Sequence, residues 1–139
     1  MSQENVEIVR KAFEAWNAGD MDAFREFYDP DIIVRPPEGW PEPGPFVGRE
    51  AVMGQWEQLR ETWDADEVEP IGDFIDAADR VVVRQAWRGA GHGPSLNMEM
   101  TNVFMVRNGR IVYQEFFWDH ADALETLGLS EQDAHADSS

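Results

Sequence analysis

A chain of 139 residues and 15.9 kDa suffices for one core, and its 42% hydrophobic content, with six Trp and eight Phe, excludes a disordered chain. With 28 acidic against 11 basic residues the net charge is −17, which argues against nucleic acid and anionic membrane surfaces as partners. There is no cysteine, so disulfides, thiolate catalysis and zinc-cysteine sites are excluded.

The start, Met1-Ser2-Gln3-Glu4, is polar and acidic, and no later stretch has the length of a membrane span. A cytoplasmic protein is expected, with one domain over residues 1–129 and a flexible acidic tail over 130–139. Val6, Val9, Phe13 and Trp16 recur at helical spacing opposite Glu7, Arg10, Lys11, Glu14 and Asn17, which predicts an amphipathic first helix stopped by Gly19. Asp20 then caps a shorter helix whose stripe is Phe24, Phe27 and Tyr28, ended by Asp29-Pro30. Asp31 to Arg35 reads as a strand.

The next segment, 36–45, holds five of the eight prolines together with Trp40. Prolines remove amide donors, so this is a stiff loop outside any sheet interior. Trp40 either forms a lid or pocket wall, or pins the loop to the core. Gly48 and Arg49 open a third helix, with Val52, Trp56, Leu59 and Trp63 inward.

From Glu67 the period becomes that of strands: 67–75, 80–88, 96–107 and 110–118, separated by short turns that include Asn108-Gly109. This predicts an antiparallel meander. A short helix from Ala121 to Leu127 follows, stopped by Gly128. The expected fold class is α+β: a curved antiparallel sheet packed against three N-terminal helices, with a short C-terminal helix.

Alternation places Tyr113, Glu115, Phe117 and Asp119 on one face of the last strand and Gln114, Phe116 and Trp118 on the other. Both faces are greasy, and three helices cover only one. The other face is expected to meet a second copy of the chain through Trp87, Phe116 and Trp118, unless a bulge reverses the faces.

The runs Asp79 to Gly91, Val103 to Val112 and Glu115 to Asp119, together with Ala123-Leu124-Glu125, Ala12 to Asp20 and Phe46 to Val52, resemble the SnoaL-like branch of the nuclear transport factor 2-like (NTF2-like) superfamily. The resemblance implies a cone-shaped domain, usually dimeric, with a pocket between helices and concave sheet. Its members include polyketide cyclases, limonene epoxide hydrolases and ketosteroid isomerases. The cyclases place an acid/base aspartate near the end of the last strand, where Asp119 stands. Many relatives carry a histidine near Asn102, here an amide that can still bond an enol or carbonyl oxygen. The Arg-x-Asp pair of the epoxide hydrolases survives only as Arg84-Gln85-Ala86. The isomerase positions hold Arg35-Pro36 and Phe13 to Trp16, which speaks against that chemistry.

The expected site has Asp119, Asn102 and Arg84 as catalytic groups, with Trp16, Tyr28, Trp40, Trp56, Tyr113, Glu115 and Phe117 contacting the substrate. Asp119 has two readings: a general base raised by apolar neighbours, or a helix cap. Arg84 and Glu115 either pair or orient a substrate. The three histidines, His92, His120 and His135, give no three-ligand metal spacing, and no cofactor is expected. The functional expectation is cofactor-independent acid/base chemistry of cyclase or isomerase type on a small hydrophobic carbonyl compound. The alternatives are a non-catalytic binding or dimerisation module and an epoxide hydrolase with a degraded motif.

Overall fold

Val6, Val9, Phe13 and Trp16 are all buried, so the apolar stripe of the first segment becomes the inner face of helix α1, Ser2–Ala18. The computed structural model describes residues 2–42, 44–61, 65–90 and 96–128. Gly19, at φ +74°, closes α1: its amide donates to Trp16 O and that of Asp20 to Ala15 O. Asp20 caps α2, Met21–Glu26, by accepting from Ala23 N at 3.1 Å.

Tyr28 is not helical, as its place in the Phe24, Phe27 stripe suggested; it is the first residue of strand β1, Tyr28–Arg35. The proline loop follows, then a two-residue edge strand, β2, Phe46–Val47, and helix α3, Arg49–Arg60, which buries Val52, Met53 and Trp56. Trp63 lies outside the described residues. The meander comprises β3, Ala65–Ala77, β4, Arg80–Ala90, β5, Leu96–Arg107, and β6, Arg110–Phe117. Helix α4, His120–Thr126, ends the described fold. None of the described helices is long and apolar enough to cross a membrane.

The six strands form one sheet in the order β2-β1-β6-β5-β4-β3, antiparallel except for β1 beside β6. The Asn108-Gly109 turn has φ of 53° and 76° at its two positions, as a tight hairpin requires. Three irregularities interrupt the sheet, one of them on β1 between Tyr28 and Ile33. On β3 the register jumps between Ile71 and Ile75, where Gly72 takes φ +75°. On β6, Ile111 pairs with Val106 but Tyr113 with Met105, so Val112 is an extra residue.

Strict alternation fails across that bulge, so the faces of β6 beyond Val112 are the reverse of those expected, and those of β4, in register with β5 throughout, are reversed as well. Phe116 pairs with Asn102, which in turn pairs with Val83, so Val83, Gln85, Trp87, Asn102, Gln114 and Phe116 share the concave side. Arg84, Glu115 and Phe117 lie on the outer side. Trp87 and Phe116, expected at a subunit contact, are instead covered by α1 and α3, and Trp118 stands 47% exposed beyond the strand end.

The outer face is also covered differently from expectation. Ala123 and Leu124 of α4 are buried against Ile75, Val82, Val103 and Phe117, forming a second apolar cluster. Toward the far edge, charged pairs replace apolar cover: Arg84 to Glu99 at 3.3 Å and Arg88 to Glu69 at 2.9 Å. The sheet therefore separates a large concave core from a small outer one.

Candidate functional site

The concave core does not close on itself. Between α1, α3 and the sheet lies a cavity of about 60 Å³. Helix α1 supplies Ala12, Phe13 and Trp16 to its wall, α2 Phe24, α3 Trp56 and β1 Tyr28, while the sheet supplies Val68, Gln85, Trp87, Phe104, Ile111, Gln114 and Phe116. The rings pack mostly edge to face: Phe13 to Phe104 at 6.1 Å, Trp16 to Trp87 at 6.2 Å and Phe24 to Tyr28 at 5.1 Å. Helix α1 is held over the cavity at its last turn, where Asn17 both donates to Val68 O and accepts from Val68 N, each at 2.8 Å. Arg60 braces the same turn, donating to Trp16 O at 2.8 Å and lying 4.6 Å from the Trp16 ring.

One polar chain borders this apolar space. Trp56 Nε1 donates to the Tyr28 hydroxyl at 3.0 Å, and that hydroxyl donates to Gln114 Oε1 at 2.8 Å. Gln114 Nε2 donates to Asn102 Oδ1 at 2.9 Å, and Asn102 Nδ2 donates to Gln85 Oε1 at 2.5 Å. Asn102 is fully buried, and Gln85 and Gln114 are 5% exposed. Four buried polar side chains would be costly unpaired, and this sequence of bonds pairs them with one another, up to the amide nitrogen of Gln85.

Of the expected site residues, Trp16, Tyr28 and Trp56 line the cavity, and Asn102 lies behind its wall in the polar chain. Trp40 lines a smaller adjoining recess with Pro36, Pro37, Trp56, Trp87, Met100 and Phe116, its ring tilted against Trp118 at 6.3 Å. Trp118 Nε1 donates to Glu38 O at 2.8 Å, tying the proline loop to the end of β6. The loop thus forms wall and is pinned as well.

The remaining expected residues are elsewhere. Arg84 is half exposed on the outer face and pairs with Glu99 rather than Glu115. Tyr113 donates to Glu115 Oε1 at 2.7 Å, also outside the cavity, and Phe117 packs under α4. Asp119 is exposed, and its Oδ1 accepts from Ala121 N at 2.8 Å as the cap of α4. His120 meets Thr101 Oγ1 at 3.0 Å, while His92 and His135 fall outside the described residues. Among the described residues no three His, Asp or Glu gather as a metal site would need.

Gln114, Trp87 and Phe116 are wall residues that were expected on the other face, and Gln85 shares the side of Trp87. A signal for them was available on β4: Arg84 and Arg88 share one side, opposite Val83, Gln85 and Trp87, and two arginines mark the wetter face.

Asp119 gives a sharp comparison of roles. Asp119→Asn is expected to leave thermal stability nearly unchanged, because asparagine caps as well, whereas Asp119→Ala is expected to lose about 0.5–2 kcal/mol. Differential scanning calorimetry checks both; an asparagine variant as unstable as the alanine one would mean that Asp119 does more than cap.

The two tyrosines titrate in one direction for different reasons. Burial pushes Tyr28 up, with the Trp56 hydrogen bond opposing. Tyr113 is pushed up to about 12, first by burial, then by its hydrogen bond to Glu115 and by the charge of Glu115, with Arg35 opposing. Both phenols hold their protons more tightly folded than unfolded, where the value is 10.0. Their contribution to stability is therefore complete below pH 10 and declines as pH rises toward 12. With only two tyrosines in the chain, ultraviolet titration should show no phenolate step centred at pH 10 while circular dichroism still reports the folded state.

The SnoaL-like domain model matches residues 9–114, and the chain belongs to that family, with the NTF2-like fold. No curated protein matches the sequence. Solved structures do. IdmH, a candidate polyketide cyclase from Streptomyces antibioticus, is 25% identical with a TM-score of 0.69, covering 90% of this chain and 99% of its own. A candidate polyketide cyclase from Sinorhizobium meliloti is 26% identical with a TM-score of 0.65, covering 84% and 98%. Bal32a, from a soil-derived mobile gene cassette, is 24% identical with a TM-score of 0.75, covering 83% and 88%.

Proposed function

We propose that this chain is a cofactor-independent pocket protein that holds a small, mainly apolar carbonyl compound and promotes a cyclisation or isomerisation on it. The observation that carries the reading is the chain of neutral amides bordering an otherwise apolar cavity. Aromatic walls orient a flexible molecule, and an amide donor stabilises the negative oxygen of an enolate in a water-poor space. Among the described residues no carboxylate, histidine or lysine lines the wall, so the base is water or the substrate itself. IdmH and the Sinorhizobium protein, as candidate polyketide cyclases, are consistent with such a substrate.

The same neutrality favours a second reading, binding without turnover. One experiment separates the two. Trp16, Trp56 and Trp87 border the cavity, so tryptophan fluorescence reports occupancy when the protein is titrated with apolar ketones. Proton exchange next to the carbonyl, followed by NMR in heavy water, reports enolisation. Quenching with faster exchange supports the enzyme, quenching alone supports the binder, and the absence of both removes the carbonyl reading. The Arg84-Gln85-Ala86 variant of epoxide hydrolysis gains no support, since Arg84 and Ala86 face away from the cavity.

The homodimer stands as a further part of the proposal, with Trp118 the expected contact residue outside the cavity wall. Sedimentation equilibrium decides it.

A further inference from the structure

We propose that the cavity selects a ligand oxygen that accepts hydrogen bonds and has no proton of its own, as in a ketone, a quinone or an enolate, and that Gln85 Nε2 is the atom that reads it. The inference rests on the carbonyl-binding reading above and specifies which atom of the wall enforces it.

The argument is one of direction. An indole N–H donates and cannot accept, so Trp56 fixes the sense of everything after it. With its oxygen occupied by Trp56, Tyr28 turns its proton to Gln114 Oε1. An amide that accepts at its oxygen still donates at its nitrogen, so Gln114 passes the same sense to Asn102, and Asn102 passes it to Gln85 Oε1. The chain therefore ends on Gln85 Nε2. That nitrogen makes no hydrogen bond within the described structure, it is not among the fully buried unpaired atoms, and Gln85 borders the cavity.

The oxygens of Gln85, Gln114 and Tyr28 each already accept a hydrogen bond. A hydroxyl ligand could accept from Gln85, but its own proton would then lie against rings or compete for the second lone pair of an oxygen that already accepts a hydrogen bond. A hydrocarbon would leave Gln85 Nε2 without a partner. A ketone meets neither penalty.

The test uses one bicyclic skeleton in three forms, 2-tetralone, 2-tetralol and tetralin, each titrated by calorimetry. The intact protein is expected to bind the ketone about tenfold or more tightly than the alcohol or the hydrocarbon. Gln85→Leu should bring the ketone down to the hydrocarbon while leaving tetralin within about twofold. Asn102→Asp, at pH 8, supplies an acceptor to both glutamines, turns the Gln85 oxygen toward the cavity and should reverse the order of ketone and alcohol. Equal binding of all three forms by the intact protein overturns the selectivity but leaves the binding reading standing. Binding of none overturns that reading and the selectivity with it. A Gln85→Leu protein that still prefers the ketone overturns Gln85 as the reader. If Asn102→Asp does not fold, the Gln85→Leu comparison decides alone.

Discussion

Asn102→Ala is expected to lower the free energy of unfolding by about 3 kcal/mol, among the largest losses a single polar substitution should produce here. Asn102 is wholly buried and is engaged at both ends, accepting from Gln114 and donating to Gln85. Truncation strands Gln85 Oε1 and Gln114 Nε2 in an apolar setting, each at about 1–3 kcal/mol, and leaves a gap between strands. In a chain of this size the melting temperature should fall by roughly 10 °C. Arg84→Ala is the control, one residue of register away on the opposite face. Its ion pair with Glu99 is half in water, and its loss should cost no more than about 1 kcal/mol. Urea unfolding of the two variants side by side measures the difference. A loss below about 1 kcal/mol at Asn102 would mean that water takes over both stranded groups.

Leu124→Ala is expected to cost about 2–5 kcal/mol while leaving the affinity of any cavity ligand as it was. Leu124 is 1% exposed and belongs to the small outer cluster with Ile75, Val82, Val103 and Ala123. No residue of that cluster lines the cavity. Stability and binding should thus separate across the thickness of the sheet, which urea unfolding and fluorescence titration of one protein sample can establish. A parallel fall in affinity would show that α4 and the cavity are coupled through the strands.

Much of the fold was legible because its signals are local. The stripe Val6, Val9, Phe13, Trp16 has one period, Gly19 ends it, and Asn108-Gly109 can only be a tight turn between strands. The insertion of β1 beside β6 was not legible, since a parallel pairing between the two ends of a chain leaves no short-range mark. Tyr28 went to the wrong element for the same reason: its role is set by Ile111 opposite it, far along the sequence.

The site was half legible. Trp16, Tyr28 and Trp56 are large apolar side chains that had to be inside, and Asn102 stood on a strand face whose other members, Met100 and Phe104, had to be inside too. The last strand misled because both of its faces are apolar, so only its pairing could distinguish them. Had Asn102 been used to fix its partners, Val83 and Phe116 would have followed, and with them Gln85 and Gln114. Asp119 was readable as cap or base from sequence. The bond from Ala121 N is the capping geometry.

Val112 holds a consequence for how such a cavity can change. Because Ile111 and Tyr113 already pair with the adjacent residues Val106 and Met105, the side chains aimed inward do not depend on the residue between them. Val112 sets bend alone. A shortened hairpin would keep Gln114 and Phe116 on the concave side while straightening the strand that carries them. The volume of the chamber and the chemistry of its lining can therefore be tuned separately, the first by insertions and deletions, the second by ordinary substitution.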